Sequence, residues 1–381
     1  MTRIQGDWIT DSGAQKVCGL LTDAGYQVYF VGGCVRNDLL GVEITDLDMS
    51  TNALPARVME LAEAAGFRAL PTGIDHGTVT IVINHIPYEI TTFRKDVQTD
   101  GRRAVVAFSD KIEDDARRRD FTMNALYADA SGQIIDPLGG LPDIHTRRVR
   151  FIDDAGERIR EDYLRTLRFF RFHAWYGDET AGIDVDGLAA ISANLDGLES
   201  LSKERVGSEM LKILSAPDPA PSMASMAQSG VLARVLPGAD VSKLAVLVHL
   251  EQGYPADPIR RLSLLGGQDV AKALRLSKKH AKHLEDLRDG IGSTAGIGEL
   301  AYKLGADAAL NIALLRAAMF ETPLPDGFEQ DIAAGAVASF PIKPADLMPE
   351  FSGPELGSQL RKLEARWIAS GFSLTREDLL K

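Results

Sequence analysis

The spacing of apolar residues changes near residue 140. Before it, short apolar runs alternate with polar turns; after it, apolar residues recur at helical spacing almost to the last residue. Residues 1 to 26 read as a lead-in and an amphipathic helix (Val17, Leu20, Leu21) stopped by Gly25. Val28–Val31 predicts a buried strand, Gly32-Gly33 a turn, and Val35, Leu39 and Leu40 a helix ended by Gly41. A second short strand should carry Asp46-Leu47-Asp48. Thr51 or Asn52 is then expected to cap a helix reaching about Ala65. Thr78–Ile83 and Tyr88–Arg94 predict a hairpin through Asn84-His85, Asp96–Asp110 a mobile loop without periodicity, and Ile134–Gly140 a closing strand and turn.

This pattern implies an α+β chain: a head with a mixed sheet over residues 1–140, and an all-helical remainder. Pro217-Asp-Pro-Ala-Pro221 and Phe340-Pro-Ile-Lys-Pro344 interrupt the helical part. They suggest a neck over 141–215, a body over 216–340 and a tail over 341–381.

The candidate chemistry begins with two carboxylates. In a strand, residues i and i+2 share a face, so Asp46 and Asp48 would present their oxygens together while Leu47 faces the core. Unpaired, they repel; a divalent cation between them removes the conflict, and oxygen ligands suit Mg²⁺, which also binds nucleotide phosphates. Two such ions can activate a hydroxyl and stabilise a leaving pyrophosphate. A solvated Asp-x-Asp turn is the bland alternative. Glu89 could add a third carboxylate, although a salt-bridged strand residue is the simpler expectation. Upstream, the glycine turn and the following helix N-terminus can receive a phosphate, with Arg36 as a charged fork.

A second constellation is Glu161-Asp162-Tyr-Leu-Arg165-Thr-Leu-Arg168-Phe-Phe-Arg171. On a helix, Asp162 and Arg165 would be neighbours at i, i+3, their heads side by side. A carboxylate only accepts and a guanidinium only donates. The pair therefore matches the amino donor and ring-nitrogen acceptor of cytosine and adenine, and opposes uracil and guanine. Spacing alone equally describes an ordinary exposed ion pair. Likewise, Asp114 and Asp115 beside Arg117–Arg119 could be no more than a charged helix face.

The net charge of −12 argues against a protein that coats nucleic acid indiscriminately. Sixteen Lys and Arg and fifteen Asp and Glu lie between Arg94 and Arg171, so the arginines gather where the motifs are and any RNA contact should be a confined patch. No apolar run reaches the ~20 residues of a membrane span. The N-terminal residues lack a signal-peptide core. Only Cys18 and Cys34 are present, neither with metal-ligand spacing, which fits a reducing, cytoplasmic setting.

The assembly Gly32-Gly33-x-Val-Arg36-x-x-Leu-Leu-Gly41-x(4)-Asp46-x-Asp48 resembles the class II tRNA nucleotidyltransferase and bacterial poly(A) polymerase family. Arg118-Arg119-Asp120-Phe-Thr-x-Asn124-Ala125 and Glu161-Asp162-x-x-Arg165-x-x-Arg168 match two further motifs of that family. One departure is Asn37, where the family usually has Asp. The resemblance implies a polymerase-beta-like head with Asp46 and Asp48 as catalytic metal ligands. Gly33, Arg36 and Arg119 would hold the triphosphate, and Asp120 and Asn124 would be framework hydrogen bonders. Asp162, Arg165 and Arg168 would select the base, with Arg171 as a phosphate or packing contact. The 96–110 loop would lie beside the active site, and the tail would touch RNA. The implied reaction is template-independent addition of C, C and A to the tRNA 3′ end from CTP and ATP, with Mg²⁺ and no protein partner. Thr72-Gly-x-x-His76-Gly-Thr-Val-Thr80 looks more like the CCA-adding branch. A poly(A) polymerase or A-only enzyme would share the other motifs. A small-molecule nucleotidyltransferase would not need the second constellation, and a non-catalytic RNA-binding module would not need both aspartates.

Overall fold

The computed structural model describes residues 2–100, 103–178 and 180–381. They form two compact units: Met1–Ile213 with Pro221–Val235, and Leu214–Ala220 with Leu236–Lys381.

The first unit is built on a seven-stranded mixed sheet ordered β3-β4-β5-β2-β1-β8-β9. Its strands are β1 Val28–Val31, β2 Asp48–Thr51, β3 Arg68–Gly73, β4 Thr78–Ile83, β5 Ile86–Thr92, β8 Tyr127–Ala128 and β9 Ile134–Ile135. Only β2 and β5 run parallel; every other neighbour is antiparallel. That parallel step matters for the site, because it sets Asp48 directly beside Glu89. The sheet's apolar face takes Val28, Phe30, Met49, Ile81 and Ile90 out of water, the dominant favourable term for such a layer. Helices Ser12–Asp23 and Pro55–Ala64 supply Val17, Leu21 and Val58 to this core. A second aromatic cluster, Phe121, Phe151, Phe169 and Phe172, joins the end of the head to helix Leu164–Tyr176.

Three local expectations are corrected. Strand β2 begins at Asp48, so Asp46 stands in the irregular segment before it and Leu47 is only half-buried. The helix after β2 is not capped by Thr51 or Asn52. It starts with Pro55 at its first turn behind Leu54, a position where the missing N–H costs nothing. Asn52 instead accepts from the Gln27 N–H, and the Thr51 hydroxyl donates to the Gln27 carbonyl. The stretch expected to be a mobile loop forms a two-stranded ribbon, β6 Arg94–Asp100 and β7 Arg103–Phe108, antiparallel in register. Residues 101 and 102 of that stretch lie outside the described residues. Its alternation was obscured by Arg102-Arg103 and by a bulge between Asp96 and Gln98.

The second unit is all helical among the described residues. It contains a buried ionic cluster: the Glu251 carboxylate accepts from Arg260 at 2.7 Å and from Arg261 at 2.8 Å. Arg261 also donates to the carbonyls of Leu214, Ala216 and Pro217. The final helices, Gly353–Ala369 and Arg376–Leu380, close over Ile342, Leu347, Leu363, Trp367 and Leu379.

Candidate active site

Strand β1 runs into Gly32, whose φ of +72° and ψ of −115° define a conformation that side-chain-bearing residues avoid. Helix Gly33–Leu40 starts at once, so its first amides open at the end of the strand. A Cβ at Gly32 would lie 3.2 Å from the Arg119 Nη1. The turn is therefore held open by its lack of a side chain on the side where Arg119 arrives. Gly41, left-handed at φ +67°, ends the helix, and its N–H returns to the carbonyls of Asn37 and Asp38.

Asp48 presents an exposed side chain at the start of β2, beside Glu89 on β5. Desolvation by the surrounding protein, then the Glu89 charge, push its carboxyl above the ordinary value; Arg119 opposes this and Asp46 adds to it. Asp46 accepts from the Thr45 hydroxyl at 3.0 Å. Among the described residues, no Lys or Arg forms an ion pair with Asp46, Asp48 or Glu89. Glu89 is thus not the salt-bridged strand residue expected from sequence. Mutual repulsion among carboxylates that no ion pair relieves fits a site for a divalent cation. No ready-made cage of three or more ligating side chains exists among the described residues. The acidic site is open, as suits an ion that retains water and phosphate oxygens in its shell. Cys34, buried beneath, has its thiol pushed up to about 11 by burial and by Asp48. It packs rather than reacts.

The arginines are arranged oppositely. Arg36 is buried; it donates to Asn124 Oδ1 at 2.5 Å, to Asn37 Oδ1 and to the Tyr176 hydroxyl at 2.9 Å. The Tyr176 ring lies 4.2 Å from its guanidinium carbon. Asn37, the departure from the family pattern, therefore still supports Arg36 through its amide oxygen. Arg119 donates to Asp115 at 3.1 Å and to the Tyr127 hydroxyl at 3.3 Å. Burial alone would raise the Asp115 carboxyl; Arg119 and Arg118 outweigh it and hold it at about 2. Asp115 does pair with Arg118 and Arg119 at i+3 and i+4. Asp114 instead accepts from Ser109, and Arg117 reaches Asp153. Asp120 accepts from the Asn124 amide at 2.8 Å and from Arg168 at 2.6 Å. Despite burial, Arg168 leads the interactions that hold its carboxyl at about 2. Arg36, Asn124, Asp120 and Arg168 thus form one continuous chain of polar contacts. Arg171 sits 3.2 Å from Glu209. The guanidiniums of Arg36, Arg168 and Arg171 all lie 5.0 to 5.5 Å from the Phe172 ring, within the range of cation–π attraction.

Asp162 and Arg165 do not form the side-by-side ion pair expected from their spacing. Helix Ala155–Glu161 ends before Asp162, which is extended at φ −152°, and the next helix begins at Leu164. Asp162 therefore stands at a break, where Oδ1 accepts from the Leu164 N–H at 3.1 Å and Oδ2 from Arg205 at 2.6 Å. Arg165 turns to Glu161 at 2.5 Å and to the carbonyl of Arg158. Arg158 shares the same Glu161 oxygen. Periodicity could not reveal Arg205, Glu209 or Tyr176 as partners, since each meets its arginine or aspartate through tertiary packing.

Residues 28–150 match the family described as the Poly A polymerase head domain, and 183–242 the one described as a probable RNA and SrmB-binding site of polymerase A. The chain is 30% identical to the mitochondrial CCA tRNA nucleotidyltransferase 1 of Mus musculus, over 97% of this chain and 89% of that one. It is 35% identical to the CCA-adding enzyme of Geobacillus thermodenitrificans, over 84% and 80%. Its fold superposes on the Bacillus stearothermophilus CCA-adding enzyme solved with CTP, with a TM-score of 0.75 and 29% identity over 94% and 92%. The open acidic pair, the glycine turn and the arginine framework accordingly have a common explanation: the chain belongs to the CCA-adding tRNA nucleotidyltransferase family.

Proposed function

We propose that this protein adds C, C and A in turn to the 3′ end of tRNA, using CTP and ATP and releasing pyrophosphate, with Mg²⁺ as its metal. The observation that carries the reading is the carboxylate pair Asp46 and Asp48, which among the described residues forms no ion pair with Lys or Arg, beside a glycine turn, in a chain similar along almost its whole length to CCA-adding enzymes. The 3′-oxygen of the RNA bonds to the α-phosphorus as the bond to the bridging oxygen breaks. Asp46 and Asp48 would hold Mg²⁺, and the ion, when bound, would supply a lower cost of hydroxyl deprotonation and charge neutralisation for the leaving pyrophosphate.

The remaining work belongs to the chain. Gly33 offers its backbone to phosphate oxygens at the helix start. Arg119, positioned by Asp115 and Tyr127, faces the turn from the other side. Arg36, fixed by Asn37, Asn124 and Tyr176, stiffens the phosphate side of the site. Asp162 and Arg165 read the base edge as separately anchored heads. Arg168, held on Asp120, supports them, and Arg171 makes a phosphate or packing contact. Two free, buried cysteines suit the reducing cytoplasm as its location.

The test supplies single nucleotides to tRNA transcripts ending before CCA, after C and after CC. CTP should extend the first two and ATP only the third. Addition of A alone, at every end, would assign the chain to poly(A) synthesis instead.

A further inference from the structure

Arg36 is buried without a carboxylate of its own. The residue beside it, where the family usually has Asp, is Asn37, and among the described residues no Asp or Glu forms an ion pair with Arg36. Asp120, whose charge reaches Arg36, is already engaged by Arg168 and Asn124. A guanidinium taken out of water without a counter-charge is costly. Burial pulls the Arg36 value below its usual range, and the Arg171 charge pushes the same way.

Tyr176 stands where the missing charge would act. Its hydroxyl accepts from Arg36 Nη2 at 2.9 Å, and its ring lies 4.2 Å from the guanidinium carbon, closer than the Phe172 ring at 5.1 Å. A ring face attracts a cation most strongly where water is excluded. Tyr176 is the last residue of helix Leu164–Tyr176. Arg168, Phe172 and Tyr176 follow at four-residue steps and so line one stripe of that helix, with the Phe172 and Tyr176 rings 5.4 Å apart. The stripe meets the head twice, through Arg168 on Asp120 and through Tyr176 on Arg36. Asn124 bridges the two contacts, donating to Asp120 and accepting from Arg36.

We propose that Tyr176 is a positioning residue for the nucleotide: its ring and hydroxyl replace the carboxylate that Asn37 lacks and hold the Arg36 guanidinium toward the triphosphate. This rests on the nucleotide-adding function proposed above. The exchange of partners has a consequence. A carboxylate at position 37 would cancel much of the Arg36 charge, whereas a neutral oxygen and a ring face fix the guanidinium and leave its charge for phosphate. Tyr176 acts through Arg36 and not on the reacting atoms, so its loss should appear in nucleotide binding before it appears in turnover.

The experiment compares the full-length wild type with Tyr176→Leu and Tyr176→Phe, each with and without Asn37→Asp. An Asp at position 37 can keep the fork that Asn37 Oδ1 now accepts from Arg36 Nε at 3.1 Å and Nη2 at 2.8 Å. It gives up only the exposed bond from the Asn37 amide to the Glu43 carbonyl. Tyr176→Leu should raise KM for CTP and for ATP about tenfold, with kcat falling less than about threefold, the order expected when a desolvated cation–π contact and a hydrogen bond to a charge are lost together. Adding Asn37→Asp should bring both KM values back to within about threefold of wild type. A tyrosine that merely packs the helix would not respond, because the change at position 37 alters the partner of Arg36 and not that packing. Melting curves establish that each variant is folded. If Tyr176→Leu is not, Tyr176→Phe carries the test with a KM rise of about threefold for the lost hydroxyl, again reversed by Asn37→Asp. An unchanged KM in the folded variant overturns the proposal, and so does a raised KM that Asn37→Asp leaves unrecovered. Calorimetric titration with CTP, without tRNA, should show the same loss and recovery in Kd. A wild type that binds CTP and extends no tRNA contradicts the functional reading, while those titrations still decide the role of Tyr176.

Discussion

Around Asp48, carboxylates face one another and no Lys or Arg is ion-paired to them among the described residues. Along helix Leu164–Tyr176, each of Arg165, Arg168 and Arg171 rests on a carboxylate: Glu161, Asp120 and Glu209. In the function proposed above both regions serve one site, yet they are built under opposite electrostatic rules. Around Asp48, where that reading places an arriving cation, charge is left unpaired and exposed. Where side chains are held in a fixed posture, each charge is balanced internally and partly buried. The first region should respond to mutation through chemistry, the second through geometry and stability.

The largest effect should come from the unbalanced region. Asp46→Ala or Asp48→Ala should abolish nucleotide addition while leaving the far-ultraviolet circular dichroism and melting behaviour of a folded protein. Retention of more than a few per cent of wild-type turnover at saturating Mg²⁺ would contradict the metal assignment. In the balanced region, Asp115→Asn should cost roughly 3–5 kcal/mol in denaturant unfolding, because it strands Arg118 and Arg119 in a buried setting. Its pH signature follows from a folded value of about 2 against an ordinary 3.8. The wild-type carboxylate contributes stability in full above the ordinary value and loses it as pH falls toward about 2. The gap between variant and wild type should therefore narrow on acidification.

Gly32→Ala should come next, costing about 1–3 kcal/mol for the positive φ and raising the KM for nucleotide as Arg119 is displaced. Steady-state kinetics with CTP and ATP would show it. The smallest effect is a gain. The Asp48 carboxyl is raised, so its ionisation opposes folding above the ordinary value of 3.8. Asp48→Asn should melt slightly higher than wild type at neutral pH without metal, and the advantage should vanish below that value. Added Mg²⁺ should stabilise wild type and leave Asp48→Asn nearly unmoved.

What could be read in advance divides along the same line. The β1 strand, the glycine turn, the helix to Gly41 and the hairpin through Asn84-His85 are local patterns, and the structure has them. Asp46 and Asp48 lie two residues apart, so their closeness was legible, although the strand expected to carry both begins only at Asp48. Two pairs of the framework needed partners more than 40 residues away: Arg168 meets Asp120, and Asp162 meets Arg205. Helical spacing suggested Arg165 for Asp162 because nothing local marks the chain break at Asp162-Tyr163. The backbone N–H of Leu164 takes one Asp162 oxygen there, as an acidic residue at a helix start commonly arranges. The ribbon at Arg94–Phe108 was missed for a related reason: its pairing is interrupted by a bulge between Asp96 and Gln98, and its sequence has no clean alternation of apolar and polar positions.

The central claim is that the acidic pair performs the chemistry while the anchored heads of Asp162 and Arg165 choose the base. Its most direct test is single-turnover incorporation of each of the four nucleotides onto tRNA lacking CCA, by wild type and by Asp162→Asn. The amide can rotate to offer a donor to the uracil O4, whereas Arg165 still faces the uracil N3–H. Selectivity for CTP over UTP and GTP should relax, with addition slowed but present, and there should be no clean inversion toward UTP. An unchanged preference would show that Asp162 only joins Leu164 and Arg205 across the helix break, and base selection would then reside elsewhere.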